Sequence, residues 1–598
     1  MLFWLFSCSF MIPKTEPCSS NSQCELTFGM GYTCGEEGYC NLFTPHPRCE
    51  KTIPEDLYEN WSDYAGSYVI GTLFKHSNDQ ANIVASSLAL QEANVLPLDG
   101  FRDFVMIHCD YEAQDETGDG LSSSDAVRAL SRFLDNDVGA SLIIGPTDSD
   151  GSATAFNATT DTLIVSPSAT STTLSTIDGE IKSNDNPGRF WRTVAPDSIQ
   201  ASVLASIVQD ESTNIAFLYE NSVYGSDFVA IMEENLSSGI SSTRYTYNLG
   251  DKEMAEIKRQ EIGTSGHDAV VILSSDISDL THLVAGISSD ENYRNQRLFF
   301  ADGAADSLFL EATPALLGSG IQVFGTRPPL LEGALFNNFE ALFALKAADM
   351  GYPSLSAEKD VYAAYTYDAT WVGIYGYAWA HFQDKPMSYH GLARGLRKIS
   401  DAEGTEIDIT SSSWNTIQAK FREGESFNIQ GTSGSLDFNP LTEELESTVE
   451  IWALGSNYDC FAGLRECDQE LNCSEIIPDS SCPFTTNSSI QSAGPFTFSI
   501  MTPPAWSCTG DVNLTVTDSG VSGSYNCSDG DKTFSESFSG IIDGEIMAGT
   551  LELEVWGDED ISFDWSGAYT EGLLSVSMSD TFPFEGNQYE YTLSFHAQ

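Results

Sequence analysis

Short apolar runs separated by amphipathic stretches recur from about residue 64 to residue 456, and this alternation limits the possible folds more than any other feature. Each run is about as long as one buried strand. The clearest runs are 69–71, 104–107, 142–144, 163–165, 215–218, 270–273 and 298–300. Between them apolar residues follow helical spacing, and the Ser/Asp-rich segment 122–125 is suited to capping a helix. Strands alternating with helices predict βαβ units and parallel sheets, and so long a region predicts two lobes.

Thirteen cysteines indicate an oxidising compartment. They form three groups and two isolated positions, and none has the CxxC and histidine pattern that is typical of metal sites. The groups are Cys18, Cys24, Cys34, Cys40 and Cys49; Cys460, Cys467, Cys473 and Cys482; and Cys508 with Cys527. Disulfides therefore explain the cysteines better than a metal does.

The odd number in the first group predicts one disulfide to a distant partner. Five cysteines cannot all pair among themselves, and Cys109 is the unassigned cysteine within the central region. Cys49 is nearest to that region in sequence, so we expect Cys49–Cys109. The four cysteines of the second group are expected to pair among themselves, and Cys508 with Cys527 on neighbouring strands.

The first seventeen residues are interpreted as a leader. Residues 1–13 are apolar but far too few to span a bilayer, and they resemble the end of a signal peptide. The sequence Leu5-Phe-Ser-Cys8 resembles a bacterial lipobox, in which Cys8 is lipidated and attaches the protein to a membrane. The alternative is an ordinary signal peptide with an incidental cysteine.

Three further regions complete the predicted organisation. Residues 18–50 form a small module that needs disulfides because it has little core, and it acts either as a spacer or as a protein-binding element. Residues 457–490 are interpreted as a cysteine-containing linker. From 491 to 598 apolar residues alternate with polar ones, as at 551–555 and 589–595, which predicts an antiparallel all-β domain, a barrel or a sandwich.

Charge and motifs exclude several functions. Asp and Glu number 87 against 27 Lys and Arg, a net charge of −60, which disfavours nucleic acid as a partner. No catalytic or nucleotide-binding motif is present, so the chain is not predicted to be an enzyme or to need a cofactor. Asp110, Asp115, Glu116 and Asp119 lack EF-hand spacing, and a solvated loop is favoured over a weak calcium site.

Seven segments of the central region, in order and spacing, resemble one known family. They are 138–146, 164–170, 190–197, 215–225, 300–303, 367–369 and 431–438. Region 64–456 thereby resembles the type I periplasmic binding proteins of the branched-chain amino-acid branch, whose fold also forms the ligand-binding region of several receptors. The resemblance implies an α/β fold of two parallel-sheet lobes joined by a hinge, with a ligand between them.

The resemblance also implies the ligand-binding residues. The loop 145–154 follows a strand and should open a helix, where backbone N–H groups with the Ser149 or Ser152 hydroxyl can hold a carboxylate. Carried over from the family, the cleft residues are Ser149, Ser168, Ala169, Thr170 and Tyr224, with Asp276 or Asp302 facing an ammonium group. The alternatives are helix capping for the two serines, a packed aromatic for Tyr224 and a turn for Asp302.

One departure from the family pattern concerns the first strand. The family usually has a glycine-containing loop there, whereas this chain has Leu-Phe-Lys-His-Ser-Asn at 73–78, so Phe74 or Lys75 is expected to reach the ligand. The predicted function is extracytoplasmic capture of a small polar ligand, such as an amino acid, for an ABC permease in a bacterial cell envelope. The alternative is a surface interaction or sensor lipoprotein, which the extra modules at both ends favour.

Overall fold

The structure is a computed structural model that describes residues 17–29, 31–35, 37–64, 66–112, 118–210, 212–294, 296–329, 333–384, 387–468, 471–476, 482, 490–501, 506–517, 520–528, 533–543, 546–555, 559–570, 573–584 and 587–597. The chain divides into two compact units, Met1–Asp479 and Ser480–Gln598. The leader and its lipidation candidate Cys8 lie outside the described residues.

The N-terminal module is a small disulfide-bonded unit that packs on the central region. It consists of α1 (Asn21–Phe28), β1 (Tyr32–Cys34) and β2 (Cys40–Leu42), the two strands forming an antiparallel hairpin. The disulfides Cys18–Cys34 and Cys24–Cys40 close it. The Asn21 side chain donates to the carbonyl of Asn136 at 2.7 Å, which ties the module to the lobe that follows.

The first lobe begins with alternating strands and helices. They are β3 (Lys51–Ile53), α2 (Trp61–Tyr64), β4 (Tyr68–Phe74), α3 (Gln80–Ala93), β5 (Phe104–Asp110), α4 (Ser123–Arg132), β6 (Leu142–Ile144), α5 (Ser149–Ala158), β7 (Leu163–Ser166) and β8 (Phe190–Arg192). The strand order is β3-β5-β4-β6-β7-β8, with all pairs parallel except β3 with β5. As predicted, Ser122 caps α4, accepting the Asp125 N–H at its side chain.

The second lobe repeats this construction. Its elements are α6 (Asp197–Gln209), β9 (Asn214–Glu220), α7 (Val223–Asn235), β10 (Ser241–Tyr247), α8 (Lys252–Gly263), β11 (Ala269–Leu273), α9 (Ile277–Ser288), β12 (Arg297–Phe300), α10 (Ser307–Ala312) and β13 (Gln322–Arg327). The five strands pair in parallel in the order β10-β9-β11-β12-β13. All seven apolar runs of the sequence are strands in the two lobes, which confirms the βαβ prediction.

The chain then returns to each lobe once. The returning elements are α11 (Ala334–Asp349), α12 (Tyr362–Gln383), α13 (Tyr389–Lys398), β14 (Glu406–Asp408), α14 (Trp414–Glu423), β15 (Asn428–Gly431) and β16 (Gly434–Ser435) on the first lobe, and β17 (Val449–Leu454), β18 (Phe461–Cys467) and β19 (Cys473–Glu475) on the second. The strands β17, β18 and β19 extend the second sheet antiparallel from β13. Part of the predicted linker 457–490 is thus sheet, because its alternating residues pair with β17.

Each lobe is a three-layer sandwich with apolar cores on both sheet faces. In the first lobe α12 is buried along almost its whole length against α3, α13 and α14, as its apolar composition on every side requires. Short non-α turns cover Pro47–Cys49, Phe133–Val138, Thr172–Thr176, Glu291–Tyr293, Asp302–Ala304 and Thr313–Leu316. No helix in the described ranges has the length and apolar character needed to traverse a bilayer.

The disulfides confirm part of the pairing predicted from sequence. Cys49 and Cys109 are bonded, joining the N-terminal segment to β5, and both are fully buried. Cys467 and Cys473 are bonded across the β18–β19 hairpin. Cys460, Cys482 and Cys508 are also disulfide-bonded. The pairing of Cys508 with Cys527 stays a prediction.

The second unit contains a closed antiparallel barrel. Its strands are β20 (Ile490–Ile500), β21 (Trp506–Thr517), β22 (Gly520–Ser528), β23 (Thr533–Asp543), β24 (Ile546–Val555), β25 (Glu559–Thr570), β26 (Leu573–Phe584) and β27 (Asn587–Ala597). Each strand pairs with the next, and β27 pairs with β20 to close the barrel. The alternating pattern at 491–598 thus indicated the right class of structure, and between its two alternatives the structure has the barrel.

Candidate functional site

Loops at the carboxyl ends of the parallel strands in both lobes line one cleft. Lys75 follows β4, Thr147 follows β6 and Ser168 follows β7, while Ser275 and Asp302 follow β11 and β12 of the second lobe. Such strand ends are the usual ligand sites of open α/β sheets. The empty volume of the cleft is about 810 Å³ with open solvent included.

The first-lobe wall is built around the start of α5. Gly145 precedes it with a φ of +92°, and a side chain there would meet the Leu73 carbonyl oxygen at 2.4 Å. The carboxylate of Asp148 caps the helix by accepting the Gly151 N–H at 2.6 Å. Ser149 follows in the first turn and lines the cleft. The cap is therefore Asp148, which leaves the serine of the first turn beside the cleft.

Three hydroxyl groups face the cleft from this wall, and they differ in their partners. Ser149 accepts the Ser171 N–H at its Oγ at 3.2 Å, and Ser168 donates its hydroxyl hydrogen to the Thr147 carbonyl at 2.8 Å. The Thr170 hydroxyl is buried without a hydrogen-bond partner among the described residues. It is therefore the hydroxyl best placed to receive a new polar group.

Asp302 is the centre of the second-lobe wall. Its carboxylate accepts the Tyr224 hydroxyl at 2.9 Å, the Gln200 amide at 3.1 Å and the Tyr362 hydroxyl. The adjacent Gly303 passes the Ser274 carbonyl so closely that a side chain would lie 2.2 Å from that oxygen. Burial raises the pKa of Asp302, and the three hydrogen bonds oppose this rise. The wall thus presents a buried, well-oriented carboxylate.

Asp197 is a second buried carboxylate close to Asp302, and it lacks hydrogen bonds of the kind that Asp302 accepts. It begins α6 where the chain crosses into the second lobe, and its side chain is fully buried. Neither carboxylate oxygen has a hydrogen-bond partner of good geometry in the described part of the chain. Burial, and then the neighbouring Asp302 charge, raise the pKa of Asp197 well above its usual value. The nearby Thr170 hydroxyl opposes this rise in pKa, and Asp197 itself is not among the residues that line the cleft.

Lys75 joins the two lobes across the cleft. Its ammonium lies 3.8 Å from the carboxylate of Asp148 in its own lobe and 3.5 Å from that of Asp276 in the other. Burial alone would lower the pKa of Lys75, but these acids outweigh it and raise the pKa. Burial likewise acts against ionisation of Asp276, yet Lys75 and the Ser278 hydrogen bonds hold the pKa of Asp276 below its usual value.

Further contacts show that the lobes are closed on each other. Asp227 on α7 accepts the Thr172 N–H at 2.7 Å and the Ser171 hydroxyl at 2.9 Å, both from the first lobe. In the opposite direction Asp150 on α5 accepts the Val223 N–H at 2.9 Å. With the Lys75 bridge, these contacts enclose the cleft between two polar rims.

The residues predicted from the family resemblance fall into two sets. Ser149, Ser168, Thr170, Tyr224 and Asp302 all line the cleft. Ala169, Asp276 and Phe74 are not among the lining residues. The Ala169 carbonyl accepts a hydrogen bond from the Arg192 guanidinium at 2.9 Å, and Phe74 is buried in the first-lobe core.

The structure also gives the positions of Lys75 and of part of the acidic loop at 110–119, for which the sequence left alternatives open. Lys75 does line the cleft, as the departure at 73–78 suggested. Asp119 of the acidic loop is paired with Arg48 at 2.5 Å, while Asp115 and Glu116 lie outside the described residues. The described part of this loop is thus held by an arginine.

Several lining residues escaped the sequence reasoning. Asp79, Asp306, Asp360 and Tyr362 line the cleft and were not singled out. A usable signal existed for Asp306, which stands four residues after Asp302 at the end of a strand. Asp360 and Tyr362 carry no local signal, because α12 reaches the cleft only after a long excursion of the chain.

The order of these elements agrees with a family match over most of the central region. The family described as the receptor family ligand binding region matches residues 88–457, which is more than half of the chain. The chain belongs to this family. Its two parallel-sheet lobes, crossed by the chain more than once, form the type I periplasmic binding protein fold that this family shares.

Solved structures with this fold are similar at low identity. The isoleucine-bound branched-chain amino acid transporter substrate binding protein LivJ from Streptococcus pneumoniae is 16% identical, with 69% of this chain and 100% of that chain covered and a TM-score of 0.48. The leucine binding protein LivK from Thermotoga maritima is 13% identical, with 67% and 99% covered and a TM-score of 0.48.

A third example holds a different ligand. A solute binding protein of an ABC transporter from R. palustris, in complex with 4-hydroxybenzoate, is 12% identical, with 69% of this chain and 99% of that chain covered and a TM-score of 0.49. No curated protein matches the chain. The ligands named here are therefore properties of those proteins.

Proposed function

We propose that the protein is an extracytoplasmic solute-binding protein that captures a small α-amino acid between its lobes. The observation that carries the proposal is the buried Asp302 carboxylate in the cleft lining, together with the Thr170 hydroxyl, which lines the same cleft and has no hydrogen-bond partner of good geometry among the described residues. A primary ammonium has three donors and no acceptor, which matches this set of buried oxygens. Its single positive charge would balance that of the Asp302 carboxylate.

The start of α5 supports a site for the carboxylate of the same ligand. The N-terminal end of a helix carries a partial positive charge and favours anions. Ser149 and Ser168 lie beside it in the cleft, and the Lys75 ammonium contributes a positive charge on the same wall. A zwitterion would thus have its two charged groups between opposite walls, where it holds the lobes together.

The proposed transport role is delivery of the bound ligand to an ABC permease, and no catalytic step is involved. Closure of two lobes by a hinge is a common way to bury a small ligand. The disulfides support an oxidising compartment such as the cell envelope. Membrane attachment through a lipid on Cys8 belongs to the same proposal.

A thermal-shift screen with the common L-amino acids tests the proposal. A ligand present at about 100 times its Kd adds roughly 2.7 kcal/mol to the unfolding free energy. Asp302→Asn is the decisive variant, because it removes the charge of the carboxylate that lines the cleft while keeping its shape. We expect its ligand-induced shift to be largely lost.

The matched control is Glu234→Gln, which removes one acid from an exposed position of the same lobe. It should keep the wild-type shift. If no amino acid raises the melting temperature of the wild type, or if Asp302→Asn keeps the full shift, then the amino-acid site is wrong.

A second candidate is a surface sensor or interaction protein that binds the same ligand without transport. It is favoured by the disulfide-bonded module at 18–50 and by the separate barrel unit, which a simple delivery protein does not need. Binding measurements do not separate the two. Reconstitution with a candidate permease and its ATPase in vesicles does, because only the transport protein would stimulate uptake of the radiolabelled amino acid.

A further inference from the structure

Asp227 of the second lobe binds a short first-lobe segment that lies beside the cleft. It stands on α7, and its carboxylate accepts the Thr172 N–H at 2.7 Å, the Thr172 hydroxyl at 2.8 Å and the Ser171 hydroxyl at 2.9 Å. None of these three residues is among the described residues that line the cleft. Within the described part of the chain, every hydrogen bond to the Asp227 carboxylate comes from the first lobe. These bonds can therefore exist only while the lobes are closed.

The same first-lobe segment is anchored to the chain that crosses between the lobes. The Arg192 guanidinium, at the end of β8, donates to the carbonyls of Ala169 and Ser171, both at 2.9 Å. The N–H of Asp197, at the start of α6, donates to the carbonyl of Thr170 at 2.8 Å. Three consecutive carbonyls are thus fixed, and they hold in place the backbone of Thr170, whose side chain lines the cleft.

A second contact between the lobes runs in the opposite direction. Val223 is the first residue of α7, where a backbone N–H has no acceptor within its own helix. This N–H donates to the carboxylate of Asp150, on α5 of the first lobe, at 2.9 Å. Asp227 stands four residues after Val223, and residues four apart lie on the same face of a helix. One face of α7 therefore meets the first lobe at two points.

We infer that Asp227 is the latch of lobe closure, a positioning residue that links the closed state to the place of the Thr170 hydroxyl. Opening the lobes must break its hydrogen bonds, which are of the strong, charge-assisted kind. A ligand that contacts Thr170 then gains affinity from Asp227 without touching it, because the apparent affinity follows the fraction of closed molecules. This last step rests on the proposed function, whereas the latch itself does not.

Hydrogen exchange of the full chain without added ligand tests the latch. The Val223 N–H is the reporter, since Asp150 protects it while the lobes are closed and water reaches it when they separate. Asp227→Ala removes the carboxylate and places a strong helix former on α7, so the helix should not fray. A hydrogen bond to a charged group changes an equilibrium by about 10-fold or more, and we expect exchange at Val223 to become faster by at least that factor. Mass spectrometry with fragmentation to single residues measures the rate.

A variant in the opposite lobe distinguishes lost closure from a local change in α7. Thr172→Val keeps the shape of the side chain and removes a hydroxyl whose partner in the described chain is Asp227. It should also speed exchange at Val223, by about 5-fold or more. Glu234→Gln, at an exposed position of α7, is the control that should leave the rate unchanged. The inference is overturned if the wild-type Val223 N–H is unprotected, or if either Asp227→Ala or Thr172→Val leaves its rate unchanged.

Binding is measured separately, by thermal shift with a mixture of the common L-amino acids. The mixture should raise the melting temperature of Asp227→Ala less than that of the wild type, because fewer molecules are closed. Equal shifts would show that Asp227 does not position the binding site and would overturn that part of the inference. If the mixture leaves the wild type unchanged while exchange responds as expected, the latch is supported and the amino-acid function fails.

Discussion

The two lobes share one construction but hold it together differently. The first lobe is cross-linked by the disulfide Cys49–Cys109, which spans 60 residues. This lobe also carries the N-terminal module on its surface. The second lobe has the short-range Cys467–Cys473 bridge at its sheet edge, with a separation of 6 residues. Of these two bridges, the one in the first lobe closes the longer loop.

Their walls also differ in charge. Among the described lining residues both lobes supply carboxylates, Asp79 and Asp148 from the first and Asp302 and Asp306 from the second, but the one cation, Lys75, comes from the first lobe. Lys75 crosses to Asp276 when the lobes are closed. Closure of the lobes therefore neutralises only part of the negative charge of the second lobe, and a cationic ligand would neutralise more of it.

The largest expected effect on stability comes from removing the disulfides, because the two lobes are cross-linked by loops of different length. In the chain-entropy description, a 60-residue loop contributes about 4 kcal/mol to the unfolding free energy and a 6-residue loop about 2 kcal/mol. We expect the double variant Cys49→Ala/Cys109→Ala to lose roughly twice as much stability as Cys467→Ala/Cys473→Ala. Urea unfolding monitored by circular dichroism measures both, and equal losses would contradict the asymmetry.

The second prediction concerns how one buried carboxyl in each lobe makes the unfolding free energy depend on pH. Burial raises the pKa of Glu220 in the second lobe to about 7, and that of Asp368 in the first lobe to about 6. A raised carboxyl pKa gives stability that is complete below the unfolded-state pKa and is lost as the pH rises through the folded-state value. Each group should therefore cost about 3 kcal/mol on going to neutral pH.

The stability contributions of Glu220 and Asp368 are lost over different pH ranges. Between pH 6 and 7.5 Glu220, and not Asp368, should contribute to the loss of stability, so Glu220→Gln should make that part of the profile less steep. Asp368→Asn should flatten the part below pH 6 and leave the upper part unchanged. Unfolding free energies at closely spaced pH values check this, and identical profiles for the two variants would refute it.

Much of the architecture could be predicted from the sequence because it depends on local patterns. Each apolar run became a strand since a fully buried parallel strand needs continuous hydrophobic residues. Cys49–Cys109 followed from counting, because an odd group requires an outside partner. The strands at 461–475 were missed because their cysteines and charged residues resemble a linker, and only pairing with β17 makes them sheet.

The site was predictable only in part, for a physical reason. Ser149, Thr170 and Asp302 follow strands directly, so their position was set by local sequence. The ion pair of Lys75 with Asp276 joins residues about 200 positions apart, and lobe closure creates it. Closure gives no periodic signal in a sequence, and neither does the lack of a hydrogen-bond partner at Asp197.

The third prediction concerns the charge of the second lobe. Asp302→Asn keeps the shape of the side chain but removes the charge that would pair with a buried ammonium. Truncating one member of a buried charge pair commonly costs 2–5 kcal/mol, so we expect about a 100-fold loss of affinity for the bound amino acid. Calorimetry provides the measurement, and an unchanged Kd would remove Asp302 from the site.

The smallest expected effect on ligand affinity concerns two hydroxyls of the first lobe, those of Thr170 and Ser168, which differ in their hydrogen-bond partners. Thr170 has no partner among the described residues, whereas Ser168 already donates its hydrogen to the Thr147 carbonyl. A hydrogen bond to a charged ligand group is worth about 1.5–3 kcal/mol. Thr170→Ala should therefore weaken binding by roughly 10-fold or more, while Ser168→Ala should weaken it less, because that hydroxyl can only accept. Both variants should melt within a few degrees of the wild type without ligand. If Ser168→Ala proves the more damaging of the two, then the ligand contacts the first lobe at β7 through Ser168, and the free hydroxyl of Thr170 is not a binding group.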